Sequence, residues 1–181
     1  MQQYGAPTRV LDWTVSAYIA LYFAMEKEPE KDGAVWVFRT HSPYKHHQEV
    51  FGRTKPPQIE EQARAFWDDK AASELFVLDP NTCTDRMVAQ RMTFTVSLNG
   101  LADHGQLLAE ILPEDSHFHE LTKIIIPALA KSQFMRRLRE MNVTARTLFP
   151  GVEGIGRAGA ELTKTTSEWF RSQNNPQMGT Q

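Results

Sequence analysis

The sequence predicts an α+β domain, with a mixed or antiparallel sheet and helices packed on it. Three observations carry this reading. Short runs rich in β-branched and aromatic residues, AVWVFR, ELFVLDP, TFTVSL and LTKIIIPA, read as strands. Helical stretches lie between and after them, without the regular alternation that builds a parallel βαβ sheet. The chain has 181 residues, 41% hydrophobic and 23% charged, which suits one ordinary globular core.

Taken in order, Gly5 to Trp13 is expected to be irregular, punctuated by Gly5 and Pro7. Thr14 or Ser16 can cap the helix that follows, an oxygen taking a free backbone N–H. That helix, Val15 to Lys27, is apolar on nearly every side, so burial all round is expected, Tyr18 and Tyr22 included. Asp32-Gly33 turns the chain into a strand over Ala34 to Arg39. His41 to Pro57 is polar and rich in proline and histidine and reads as a long loop. A short helix is expected over Ile59 to Lys70, a strand over Glu74 to Pro80, and a helix over Thr84 to Arg91. Thr93 to Leu98 alternates as a strand does. Asn99 to Phe118 reads as loop with a turn of helix at Gln106 to Ile111.

Leu121 to Ala128 is a strand whose Ile124, Ile125 and Ile126 suggest cover on both faces. Lys131 to Met141 is an amphipathic helix, with Phe134, Leu138 and Met141 expected inward. A helical turn follows over Val143 to Leu148. Pro150, Gly151, Gly154 and Gly156 force a turn before a last helix from Ala158 to Phe170. The expected organisation is one domain over 1–157, a helix over 158–171 and a disordered polar tail over 172–181.

The bulk chemistry narrows the function classes. A net charge of −2 with scattered Lys and Arg argues against a broad nucleic-acid surface, while leaving room for a small anion pocket. The single cysteine, Cys83, permits no disulfide within the chain and has no metal-ligand spacing around it, so no metal is expected. Ala17 to Met25, the longest apolar run, is too short to span a bilayer. A cytoplasmic protein without membrane contact is the expectation.

One segment is far denser in special residues than the rest: QQYGAPTRVLDWTVSAYIALYFA, Gln2 to Ala24. It resembles the signature of the FRG domain family, which reads roughly Q-H-Y-G-L-P-T-R-L-L-D-W-T before a helix ending A-L-Y-F-A. Gln2, Tyr4, Gly5, Pro7, Thr8, Arg9, Leu11, Asp12, Trp13 and Thr14 match, while Gln3 stands for His and Ala6 for Leu. DGAVWVF, RMVAQRMTFTV and LFPGVEGI resemble later landmarks in order, so the likeness runs over about residues 2 to 157. The family's naming Phe/Tyr-Arg-Gly motif lies upstream of this signature. The resemblance therefore implies an N-terminally truncated copy, whose missing segment or a protein partner would complete it.

A weaker similarity concerns T-x-S before a helix ending A-x-x-F-A, which is like the middle motif of ADP-ribosyltransferases. That likeness implies an ADP-ribosyltransferase-like fold and NAD as a substrate, with no cofactor assigned. Thr14 and Ser16 would hold a ribose or amide, Arg9 and Arg86 anionic groups, and Gln90 would orient the ligand. Tyr4, Thr8 and Asp12 complete the candidate binding set. Gln90 precedes the strand where such enzymes carry a late Glu, and an amide cannot supply that anion. Glu74, Asp79 and Asp85 are the carboxylates nearby. Arg86 lies one helical turn before Gln90, so both can face one cleft. Read without the resemblance, Asp12 and Arg9 form a turn-stabilising pair, Trp13 plugs the core and Arg86 pairs with a surface carboxylate. The function so implied is an FRG-type domain binding a nucleotide-like small molecule. The alternatives are a non-enzymatic interaction module of a bacterial or phage system, or an inactive fragment.

Overall fold

The computed structural model describes residues 10–52, 75–78, 83–98, 103–112 and 121–174. In chain order the elements are β1 (Val10–Thr14), α1 (Ala17–Met25), β2 (Gly33–Phe38), α2 (His41–Phe51), β3 (Leu75–Leu78), α3 (Asp85–Ala89), β4 (Met92–Ser97), α4 (His104–Ile111), β5 (Leu121–Ile126), α5 (Ala128–Glu140), α6 (Ala145–Leu148) and α7 (Val152–Asn174). The described strands form two antiparallel sheets, one ordered β1-β4-β3 and one of β2 with β5. The α+β expectation is met, and the pairing is antiparallel throughout the described strands.

The buried side chains form three clusters. Ile19, Tyr22 and Met25 of α1 meet Val35, Ile126, Leu138, Leu148 and Phe149 in one cluster. Leu75 packs with Leu107, Leu108, Ile111 and Leu112 in a second, which Trp13, Phe38 and Leu121 join. Phe76, Val96 and Leu98 make a third. Trp13 also meets Phe38 edge-on at 4.6 Å and so joins the two sheets, although it is only partly buried and lines both hollows described below.

Several expectations fail for identifiable reasons. Val10–Thr14 is a regular strand rather than an irregular loop, because β4 offers its alternating backbone as a partner. α2 is a helix where a loop was expected. Its proline, Pro43, sits in the first turn, where a missing N–H costs nothing, and is fully buried. α1 is not buried all round: Tyr22 is, but Tyr18, one turn earlier on the same side, is 54% exposed. Ile124 and Ile125 are likewise half exposed, since a two-stranded sheet has too little cover for both faces. On α5, Phe134 and Met141 lie outward and only Leu138 is buried as expected. The inward position goes instead to Lys131, whose ammonium donates to the carbonyls of Lys27 and Glu28 at the end of α1. α7 begins at Val152, directly after the left-handed Gly151, and absorbs Gly154 and Gly156. Residues 172–174, assigned to the tail, are helical. The helix expected over Ile59 to Lys70 and the tail from 175 onward lie outside the described residues.

Gly33 is where β2 passes closest to α1. A Cβ there would strike the Ala24 carbonyl oxygen, whereas one at Gly156 would meet nothing within 4 Å. Gly33→Ala is expected to lose about 1–3 kcal/mol by overpacking. Gly156→Ala is expected to gain about 0.5–1 kcal/mol from better helix propensity. Chemical-denaturation midpoints of the two variants check this pair.

Candidate functional site

The turn from α3 into β4 sets the site. Thr84 caps α3 by accepting the Met87 amide. The helix lasts barely a turn, and Arg91, at φ 48°, sends the chain straight into β4. The end of β1 is fastened to this turn: the Val15 amide donates to the Arg91 carbonyl at 3.1 Å, and the Thr14 hydroxyl donates to the Gln90 carbonyl at 2.8 Å. Gln90, only 5% exposed, in turn donates its side-chain amide to the Leu148 carbonyl at 3.0 Å.

Between the two sheets this arrangement leaves a hollow of about 470 Å³. Asp12 and Thr14 of β1, Arg86 and Gln90 of α3 and its cap, Phe23 of α1 and Trp36 of β2 all line it. Trp36 is 48% and Phe23 37% exposed, so two aromatic faces are open to an occupant. A neighbouring hollow of about 490 Å³ shares Leu11, Trp13 and Trp36 with the first and extends to Asp103, His104 and Gly105. The Trp13 indole donates to the fully buried Thr95 hydroxyl at 2.9 Å, and that hydroxyl lies 3.2 Å from His104 Nδ1.

The charges here are mutually engaged. Arg86 donates to Glu153 at 2.9 Å and lies over the Phe149 ring at 4.8 Å. Its buried Nε has no hydrogen-bond partner. Arg157 lies over the same ring at 4.0 Å and bridges Glu153 and Glu26. Tyr22 donates to Glu161 on α7, and burial together with that carboxylate pushes its phenol far above the usual range. Partial burial raises the Asp12 carboxyl above its ordinary value, and the Arg86 charge partly offsets the rise.

Of the candidate residues, Asp12, Thr14, Arg86 and Gln90 therefore share one hollow. Ser16 does not line it. It occupies the N-cap position of α1 with its hydroxyl unused as a cap, and its amide donates to Thr14 Oγ1. Tyr4, Thr8 and Arg9, with the substituted Gln3 and Ala6, lie outside the described residues, as do Glu74 and Asp79. Asp85 opens α3 and does not line the hollow. One N–H of the Gln90 amide is spent on the Leu148 carbonyl, which fixes the orientation of the side chain. Phe23, Trp36, Glu153 and Arg157 were not singled out from the sequence as site residues, although Phe23, Trp36 and Glu153 lie inside the segments that carried the resemblance.

The family model of the FRG domain matches residues 1–33. The matched stretch is the one that supplies β1 and α1. The later landmarks fall beyond the matched residues. No curated protein and no solved structure matches the chain. Among the described residues no helix is long and apolar enough to cross a membrane, and no three His, Cys, Asp or Glu side chains are grouped to hold a metal ion.

Gln90→Leu keeps the volume but orphans the Leu148 carbonyl, and is expected to cost about 1–3 kcal/mol in denaturant unfolding. Asp12 gives a pH signature. Its folded pKa lies above the unfolded 3.8, so the folded state binds the proton more tightly and stability falls as pH rises through that window. Asp12→Asn should therefore melt higher than the unsubstituted chain at neutral pH. The gap should close below the ordinary carboxylate range, which melting curves across that range check.

Proposed function

We propose that the chain is an FRG-type ligand-binding module whose inter-sheet cleft takes a nucleotide-like molecule of the NAD or ADP-ribose kind. One observation carries this: Asp12, Thr14, Arg86 and Gln90, singled out from the sequence, line a single hollow beside the open rings of Phe23 and Trp36. The volume is in the range of small-molecule sites, and the lining has their mixture of flat apolar walls and few polar groups. A base or nicotinamide ring fits against the aromatic side chains. Arg86 has donor capacity beyond its bond to Glu153 for a phosphate or carbonyl.

Transfer of an ADP-ribosyl group is the finer form of the reading. It asks for a carboxylate beside the developing oxocarbenium ion. Gln90 cannot serve, and among the described lining residues Asp12 is the acid that could. The second reading, a non-enzymatic recognition module, is favoured by a different feature, the strand edges that border the same cleft.

Calorimetry of the full chain against NAD and ADP-ribose tests the ligand reading. Binding is expected, with Arg86→Ala weakening it roughly tenfold or more through the lost charged hydrogen bond. Glu153→Gln is expected to tighten ADP-ribose by releasing Arg86. Absence of heat at millimolar ligand would remove nucleotides from consideration.

A further inference from the structure

α7 sits on the rest of the chain by its charged side. Its first apolar residues, Val152 and Ile155, are 85% and 64% exposed. The positions turned inward are the buried Gly154, the small Ala158 on the core cluster, and the charged Arg157 and Glu161. A surface helix normally turns its apolar stripe to the core. Here the ties along these turns are polar: Glu153 to Arg86, Arg157 to Glu26, and Glu161 to Tyr22. The three α7 residues are spaced four apart and so share one side of the helix. Partly exposed ion pairs hold weakly. α7 also starts directly behind Gly151, whose φ of 83° makes a glycine joint after α6.

Arg86 is under-used in this arrangement. One terminal nitrogen meets Glu153 at 2.9 Å, while Nε is buried and has no hydrogen-bond partner. A guanidinium offers Nε and Nη as a fork that matches two oxygens of one phosphate or carboxylate. Glu153 does not fill that fork, because its other oxygen is turned to Arg157 at 3.0 Å. A buried donor left unmade carries a penalty that a better-placed anion relieves. Nε is covered, so reaching it requires the guanidinium to turn or its cover to move.

We infer that the start of α7 is a latch on the cleft: Glu153 holds Arg86 in the place of an anionic ligand, and a phosphoryl group that takes Nε and Nη together releases Glu153 and the first turns of α7. This rests on the cleft-ligand reading and adds the control of that same site. Ligand and latch compete for one guanidinium, so each weakens the other by the same factor. The far tie counts as well. Tyr22 does not line the hollow, yet its bond to Glu161, two turns along α7, holds the helix down and so opposes the ligand.

The test measures affinity for ADP-ribose and for inorganic pyrophosphate by calorimetry on the full chain. Glu153→Ala removes the competing acceptor and is expected to tighten both roughly fivefold or more. Tyr22→Phe leaves the cleft and its charges in place and is expected to tighten both roughly threefold by loosening α7. Added to Glu153→Ala, the same change should bring no further gain, because nothing then competes for Arg86. Gly154→Ala, whose Cβ would strike the Phe149 carbonyl oxygen, unseats the same turn by bulk and should act like Tyr22→Phe. Tyr22→Phe keeps the test intact if Gly154→Ala misfolds. Saturating ligand should also speed amide exchange over Gly156 to Ala160, since a helix stripped of tertiary contacts frays. Unchanged affinity in Glu153→Ala or Tyr22→Phe, an equal Tyr22→Phe gain on the Glu153→Ala background, or unchanged α7 exchange each overturns the latch and leaves ligand binding standing. No heat from either ligand with any variant removes the ligand reading, and the latch falls with it.

Discussion

Three chain segments far apart in sequence meet through the bonds of Thr14 and Gln90. The Thr14 hydroxyl holds the Gln90 carbonyl, and the Gln90 amide holds the carbonyl of Leu148. The first bond adds a side-chain tie to the pairing of β1 with β4 and to the Val15–Arg91 bond at the same turn. Without the second, α3 would lose its hold on the α6 backbone. The second bond is buried and the first partly so, and away from water an unmade hydrogen bond is costlier than a made one is worth. The cleft between the sheets exists because this short chain of bonds fixes the end of β1 relative to α3 while the aromatic contact of Trp13 and Phe38 fixes its middle.

The charged groups around the cleft depend on that placement. Arg86 can reach Glu153 and the Phe149 ring only because α3 is held beside α6. Glu153 then divides its two oxygens between Arg86 and Arg157, so the start of α7 sets how much of the Arg86 charge faces the cleft. Such a pair near the surface adds little to stability. Its consequence is electrostatic: the cleft presents a tempered cation next to a carboxylate, rather than a bare anion-binding arginine. The same α7 helix is tied to α1 through Tyr22 and Glu161, which couples the C-terminal helix to the core.

How much of this was legible can be argued from particular residues. The β-branched runs of β2, β3, β4 and β5 identified themselves, because each has a neighbour-independent preference for extended backbone. Thr84 declared the start of α3. β1 did not, since Gly5, Pro7 and a charged Arg-Asp pair surround a strand that exists only through its pairing with β4. α2 was hidden by its histidines and Pro43, until burial of that proline showed why a helix is tolerated there. On the site, Arg86 and Gln90 were placed correctly on one cleft by helical spacing, but the use of the Gln90 amide on Leu148 had no local signal.

The sequence alone determined the class of fold, the resemblance of Gln2 to Ala24 to the FRG signature and the periodicities that place Arg86 and Gln90 on one side. These are short-range properties, carried by side-chain shape, capping and spacing within a few residues. Only the tertiary structure decided that Asp12 and Thr14 line one hollow with Arg86, that Trp36 and Phe23 face it too, and that Arg86 is engaged by Glu153. Those facts depend on contacts between residues tens of positions apart. No local preference encodes them, because an exposed edge or a shared cleft is defined by which elements pack together and which surfaces are left unpaired.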